Sequence, residues 1–186
     1  VARTMEEYGK ADVLINNAFR VPSMKPFANT TFENMRDAIE LTVFGALRMT
    51  QGFTPALEAA KGSVVNVNSM VVRHSQAKYG AYKMAKSALL SMSQTLATEL
   101  GEKGIRVNSV MPGYIWGETL EGYFNHQAQK YGTTVEQIYN ASAAGSDLKR
   151  LLTEDEVASA VLFLASPRAS GITGQTLDVN CGEFHV

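Results

Sequence analysis

The sequence predicts an α/β chain in which a parallel sheet carries helices on both of its faces. Three observations support this. Short, β-branched apolar runs alternate with longer stretches of helical period. The runs are apolar at consecutive positions, as in strands buried on both sides, and do not alternate as half-exposed antiparallel strands do. A helix between successive strands forces a parallel, right-handed crossover, so the pattern βαβαβαβ reads as a doubly wound sheet.

The first run is Asp12–Asn16, with Val13, Leu14 and Ile15 at its centre. A loop with Pro22 and Pro26 follows. Thr30 and Thr31 then offer N-caps, with Glu33 and Asp37 close behind. Met35, Ile39, Thr42, Gly45, Ala46 and Met49 recur at helical spacing, so a helix is expected until shortly after Pro55. Gly62–Ser69 is short and β-branched, which favours a second strand. From Tyr79 to Gly101 a long helical pattern aligns Ala85, Leu89, Met92, Leu96 and Leu100 on one stripe, and Gly101 and Gly104 bracket its end.

Ile105–Val110 is the third strand, closed by Pro112-Gly113. Residues 114–150 are richer in Tyr, Gln, Gly and Ala and read as an insertion over one end of the sheet, with helices near 118–130 and 134–142. Thr153 and Glu156 form a capping box ahead of a helix over 157–165. Gly171 to Gly174 turns the chain into a last strand, Gln175–Val179. No repeat, low-complexity tract or linker interrupts this order, so residues 1–186 read as a single domain.

Composition narrows the function classes. Lys and Arg total 17 against 18 Asp and Glu, a net charge of −1, so no basic excess points to nucleic acid or an anionic membrane. No apolar run approaches the roughly 18 residues of a membrane span, and no basic-then-apolar leader opens the chain. The single cysteine, Cys181, excludes an internal disulfide and fits a reducing, cytoplasmic setting. His74, His126 and His185 lack metal-like spacing, so no metal is expected.

In parallel sheets, ligands bind beyond the carboxyl ends of the strands. Three such ends carry polar or glycine-rich words: Asn16-Asn17-Ala18, Asn68-Ser69 and Met111-Pro112-Gly113. In the long helix Tyr82 and Lys86 are four apart and share a face. An ammonium beside a phenol favours the phenolate, lowering its pKa from about 10. Such a tyrosine can exchange a proton with a substrate oxygen, and the Ser69 hydroxyl can hold that oxygen. The trio suits interconversion of a carbonyl and an alcohol. Taken alone, a Tyr-x3-Lys pair reads more readily as a solvated helix face, and Tyr79 with Lys83 makes a second, overlapping pair.

The words around these residues resemble the short-chain dehydrogenase/reductase family along nearly the whole chain. Leu14–Ala18 resembles its Asn-Asn-Ala-Gly strand end, and Gly62–Ser69 the strand ending in its catalytic serine. Tyr82–Lys86 resembles its Tyr-x3-Lys helix, while Gly104–Gly113 and Gly171–Val179 resemble later landmarks. The step from Ser69 to Tyr82 fits the family and the step to Tyr79 does not, which makes Tyr79 and Lys83 the decoy pair. The resemblance implies a Rossmann-like fold and an NAD(P)-dependent oxidoreductase acting on a small alcohol/carbonyl pair. Tyr82 would be the general acid or base. Lys86 would lower its pKa and bind the nicotinamide ribose, and Ser69 would orient the carbonyl. Asn16 and Ala18 would lie along the cofactor, NAD or NADP, near its adenosine side, with Pro112, Gly113 and Ile115 beside the nicotinamide. Family members commonly form homodimers or homotetramers through the two long helices.

The chain departs from the family in several places. The glycine-rich phosphate loop and the first βαβαβ portion of the family's sheet have no counterpart, so a fragment of a longer enzyme is expected. Residues 1–9 resemble the end of the helix before the family's fourth strand, and strand 12–16 is expected to be an exposed, aggregation-prone edge. Thr42 stands where the family has a catalytic asparagine, which puts that proton relay in doubt, and Phe19 replaces a glycine beside the cofactor. Tyr114, Trp116, Tyr123 and Phe124 read either as an aromatic wall of the substrate pocket or as core of the insertion. The alternative function is a catalytically inactive truncated chain acting only as a binding or assembly subunit.

Overall fold

The computed structural model describes residues 1–20 and 24–185. Pro22 of the expected loop lies outside them. Four parallel strands form one sheet in the order β1 (Val13–Asn16), β2 (Ser63–Val67), β3 (Arg106–Pro112) and β4 (Thr176–Val179). Val13 pairs with Ser63 and Asn16 with Asn66, Ser63 pairs with Arg106, and Ser109 pairs with Thr176. All carboxyl ends therefore open on the same side. Gly62 is required where β1 and β2 begin: a Cβ there would sit 2.3 Å from the Asp12 carbonyl oxygen, to which the Ser63 N–H donates at 3.1 Å.

Helix α1 (Ala2–Tyr8) stops at Gly9, which takes a left-handed φ of 67°. Helix α2 (Phe32–Ile39) starts where Thr31 accepts the Asn34 N–H. It then widens into a π-helical turn, Glu40–Gly45, before α3 (Ala46–Ala60). The one helix expected from Thr31 is thus three segments along one path. It also outlasts Pro55 by five residues. The Thr54 hydroxyl bonds the Thr50 carbonyl on that turn, at 2.7 Å.

One face of the sheet packs α3 and α4 (Gly80–Gly101). Leu14, Val64 and Val107 meet Phe53, Leu57, Ala97 and Leu100. The other face packs α7 (Glu154–Ala165), where Val65 and Val110 meet Val157, Val161 and Leu164. β2 and β3 are covered on both sides, as their consecutive apolar runs require, whereas the apolar run of β1 is buried on one side only. Arg106 ties β3 to the end of α7, donating to the Leu164 carbonyl at 2.9 Å and the Ser166 carbonyl at 3.2 Å. The insertion holds α5 (Glu118–Tyr131) and α6 (Val135–Ala143) around its own cluster of Phe124, Ala143 and Leu151.

Strand β1 is the expected edge, with Val13 and Ile15 each more than two-fifths exposed. Strand β2 is shorter than expected, ending at Val67, although Asn68 still donates to the Val110 carbonyl at 2.8 Å. Strand β3 runs two residues beyond Val110, because β4 pairs with it as far as Pro112. Among the described residues no helix is long and apolar enough to cross a membrane.

Candidate active site

Ser69 leaves the end of β2 in an extended conformation and caps a 3₁₀ turn over Met70–Val72, its Oγ accepting the Val71 N–H at 3.2 Å. Tyr82 sits in the first turn of α4, where the Ser69 side chain lies close enough to the phenol to act on its pKa. Lys86 follows one turn later, buried, and its ammonium donates to the Val67 carbonyl at 2.8 Å. Strand end and helix start thus bring Ser69, Tyr82 and Lys86 together, as their spacing implies.

The electrostatics differ from the expectation. Burial pushes the Tyr82 phenol above its ordinary value, and the nearby Ser69 side chain lowers it only in part. Lys86 does not depress it here: the ammonium is turned to the Val67 carbonyl and lies 5.1 Å from the centre of the Phe19 ring. Burial pushes Lys86 itself down to about 8. Phe19 also packs on Tyr82, with ring centres 5.3 Å apart.

Beside Lys86 lies a cavity of about 300 Å³ lined by Asn16, Ala18, Thr42, Gly45 and Val67, among others. Thr42 is buried within the π-helical turn. The Asn16 amide is committed to structure, donating to the Asn66 Oδ1 at 2.8 Å and the Thr50 Oγ1 at 3.3 Å. Asn66 in turn donates to the Ser93 Oγ at 2.8 Å, so the network joins β1, β2, α3 and α4. Asn16 therefore borders the cavity while its side-chain donor points into the core.

Pro112 ends β3 in the buried layer, and the Gly113 N–H donates to the Val179 carbonyl at 2.9 Å. Ile115 forms an isolated parallel bridge to Leu152. The bonds of that bridge belong to its neighbours: the Trp116 N–H donates to Leu152 and the Leu152 N–H donates to Tyr114. The Ile115 N–H and C=O consequently face away from Leu152 and make no backbone hydrogen bond among the described residues.

Of the four aromatics after Gly113, Trp116 and Phe124 belong to the insertion core, and Trp116 meets Tyr139 edge-on at 4.9 Å. Tyr114 also packs against that core and lies beside Tyr79. Tyr123 is exposed. The decoy pair also resolves: Lys83 donates to the His74 carbonyl and the Ser75 Oγ, anchoring the loop after Ser69. Sequence reasoning missed the π-helical turn, the Tyr79–Tyr114 contact and the placement of Glu183. Each depends on contacts between distant segments, and no local period marks them.

A family model described as Enoyl-(Acyl carrier protein) reductase matches residues 1–183. The chain is 32% identical over 184 residues to the short chain dehydrogenase/reductase AstE of Aspergillus oryzae, covering 98% of this chain and 68% of that protein. It is 34% identical over 189 residues to the 1,6-dihydroxycyclohexa-2,4-diene-1-carboxylate dehydrogenase of Pseudomonas putida, covering 99% and 68%. Among solved structures, L-sorbose reductase from Gluconobacter frateurii, complexed with NADPH and L-sorbose, superposes with a TM-score of 0.93 at 27% identity, over 100% of this chain and 71% of that one. The fold, the strand-end geometry and these matches agree: the chain belongs to the short-chain dehydrogenase/reductase family.

Proposed function

We propose that this protein is an NAD(P)-dependent oxidoreductase interconverting a small alcohol and its carbonyl, with Tyr82, Ser69 and Lys86 as its catalytic residues. The observation that carries this is the approach of Ser69 to the largely buried Tyr82 phenol, with the buried Lys86 ammonium one turn away. The relatives named above are dehydrogenases and reductases, one of them complexed with NADPH, which supports the reaction class and the cofactor.

The residues present fit a nicotinamide cofactor on its ribose side. Lys86 spends one hydrogen bond on Val67 and keeps its remaining donors beside the cavity. The unengaged Ile115 backbone groups suit a carboxamide, and Pro112 and Gly113 supply a small, flat strand end. Asn16 and Ala18 contribute the opposite wall. When bound, the cofactor supplies or accepts the hydride at its nicotinamide ring. In the reducing direction Tyr82 gives its phenolic proton to the carbonyl oxygen, and in the oxidising direction it takes the proton back. Ser69 donates a hydrogen bond to the same oxygen and holds the reacting carbon in place. Contact with a bound ribose would draw the Lys86 ammonium away from Val67 and toward the phenol, and its charge would then favour the phenolate.

The same reading assigns the pyrophosphate and adenosine to residues outside these 186. It assigns self-association to the helical path 32–60, whose Leu41, Phe44 and Met49 are exposed. Phe19, lying over Lys86, favours the inactive-subunit alternative on one point, because it covers the amine a ribose would meet. Tyr82→Phe tests the main reading. Turnover of carbonyl substrates should fall by about 10²–10⁴-fold with Tm unchanged, and an unaltered rate would overturn it.

A further inference from the structure

Behind Ser69, the chain after β4 folds back as a built turn. Asn180 donates to the Phe184 carbonyl at 3.0 Å and accepts the Gly182 N–H at 2.8 Å. Gly182 has a left-handed φ of 77° and lies so close to Asp147 that a Cβ would meet its carboxylate at 2.5 Å. The Phe184 ring stacks on His74, in the loop after Ser69, at 4.6 Å and nearly parallel. This turn delivers one carboxylate, that of Glu183, to the carboxyl end of β3: its Oε2 lies 3.0 Å from where a Cβ on Gly113 would be. Glu183 is half-buried, and burial pushes its carboxyl above the usual range, with only His74 acting the other way. Among the described residues no hydrogen bond or ion pair engages that carboxylate.

The next residue after Gly113 extends the polar surface. Tyr114 lies beside Tyr79, and the Tyr79 ring packs on Tyr82 at 6.3 Å. Glu183, Tyr79 and Tyr114 have no part in the proton transfer. We infer that Glu183, with the Tyr79–Tyr114 pair, forms a subsite for substrate hydroxyl groups remote from the reacting carbon, so that the substrate class is polyhydroxylated. The chemistry fits. A carboxylate accepts only, two phenols donate and accept, and hydroxyl groups offer the complementary donors and acceptors. A carboxylate held half-buried without a partner gains most from a ligand that donates to it. The inference rests on the oxidoreductase reading for its idea of the reacting carbon, but not for the binding surface itself.

The test is calorimetric titration of the protein with xylitol, with 3-pentanol, which shares its carbon chain, and with 1-amino-3-pentanol. Wild type should prefer xylitol over 3-pentanol. Glu183→Ala should cut that preference by about tenfold or more, the scale of a hydrogen bond to a charged group. Glu183→Gln should cut it less, since an amide oxygen still accepts. A merely structural Glu183 would weaken both alcohols alike and leave the ratio unchanged, which overturns the inference. So does a wild type with no preference, or a loss confined to the amine, which would mark a cation site. Tyr82→Phe separates the two readings, because it should abolish turnover and leave the xylitol preference intact. A wild type that keeps the preference but turns over no carbonyl with NADH or NADPH would sink the oxidoreductase reading alone.

Discussion

Burial acts on Tyr82 and Lys86 in opposite senses, because taking either out of water disfavours its charged form. The phenol rises and the amine falls, so each moves away from the state in which the pair would catalyse best. Lys86 carries a measurable signature of this. Its folded value is about 8 against 10.5 unfolded, so between those values the unfolded chain binds more protons and stability rises with pH. The penalty is complete below pH 8 and gone above 10.5. Relative to Lys86→Met, wild type should therefore gain stability between pH 8 and 10.5, with a slope of up to about 1.4 kcal/mol per pH unit. Paired denaturant titrations across that range check this; a flat difference would show that the burial penalty is absent. Phe19 is the second residue with a clear consequence. Phe19→Gly removes the ring over Lys86 and should tighten nicotinamide cofactor binding roughly two- to fivefold, matching an exposed cation–π contact of about 0.5–1 kcal/mol. Fluorescence titration of NADH and NADPH into wild type and variant reads the change.

Among the elements, α7 shows how far local chemistry carries a fold. Thr153 accepts the Glu156 N–H at 3.3 Å and Glu156 returns to the Thr153 N–H at 2.9 Å, the reciprocal box its sequence spells. The helix then offers Val157, Val161 and Leu164 to the sheet. Thr153→Ala should cost about 1 kcal/mol, a fall in Tm of roughly 2–4 °C for a chain of this size. Thermal melts would show it. The path from Thr31 to Ala60 is the contrary case. Its apolar spacing marks a helix correctly, and its N-cap is where Thr31 suggests. The π-helical turn over Glu40–Gly45 is invisible to that spacing, yet it turns Thr42 and Val43 inward and brings Thr42 to the cavity beside Lys86.

Across the whole molecule the weak point is β1. Leu14 faces α3 and is buried, but Val13 and Ile15 point to the other face of the sheet, where no helix among the described residues covers them. An apolar parallel edge with open backbone groups is a template for pairing with another chain. Ile15→Lys should reduce light scattering of the 186-residue chain on standing without lowering its Tm, and unchanged scattering would place the aggregation hazard elsewhere. The chain spans about 68% of the length of the curated relatives compared here.

Strand content, helix limits to within a few residues, the capping box, and the positions of Ser69 at a strand end and of Tyr82 and Lys86 in one helix were legible because each is written in a run, a period or a spacing. The strand ends could be assigned to one crevice for the same reason, since a helix between strands leaves only a parallel crossover. Other features were not legible. The committed Asn16 amide, the direction of the Tyr82 shift, Trp116 packed against the insertion core, and Glu183 brought to Gly113 all depend on which distant segments meet and how much water they exclude. Burial and long-range hydrogen bonds are properties of the packed chain. A linear spacing can name the groups that do chemistry, but the solvation that sets their charge arises only when the layers close around them.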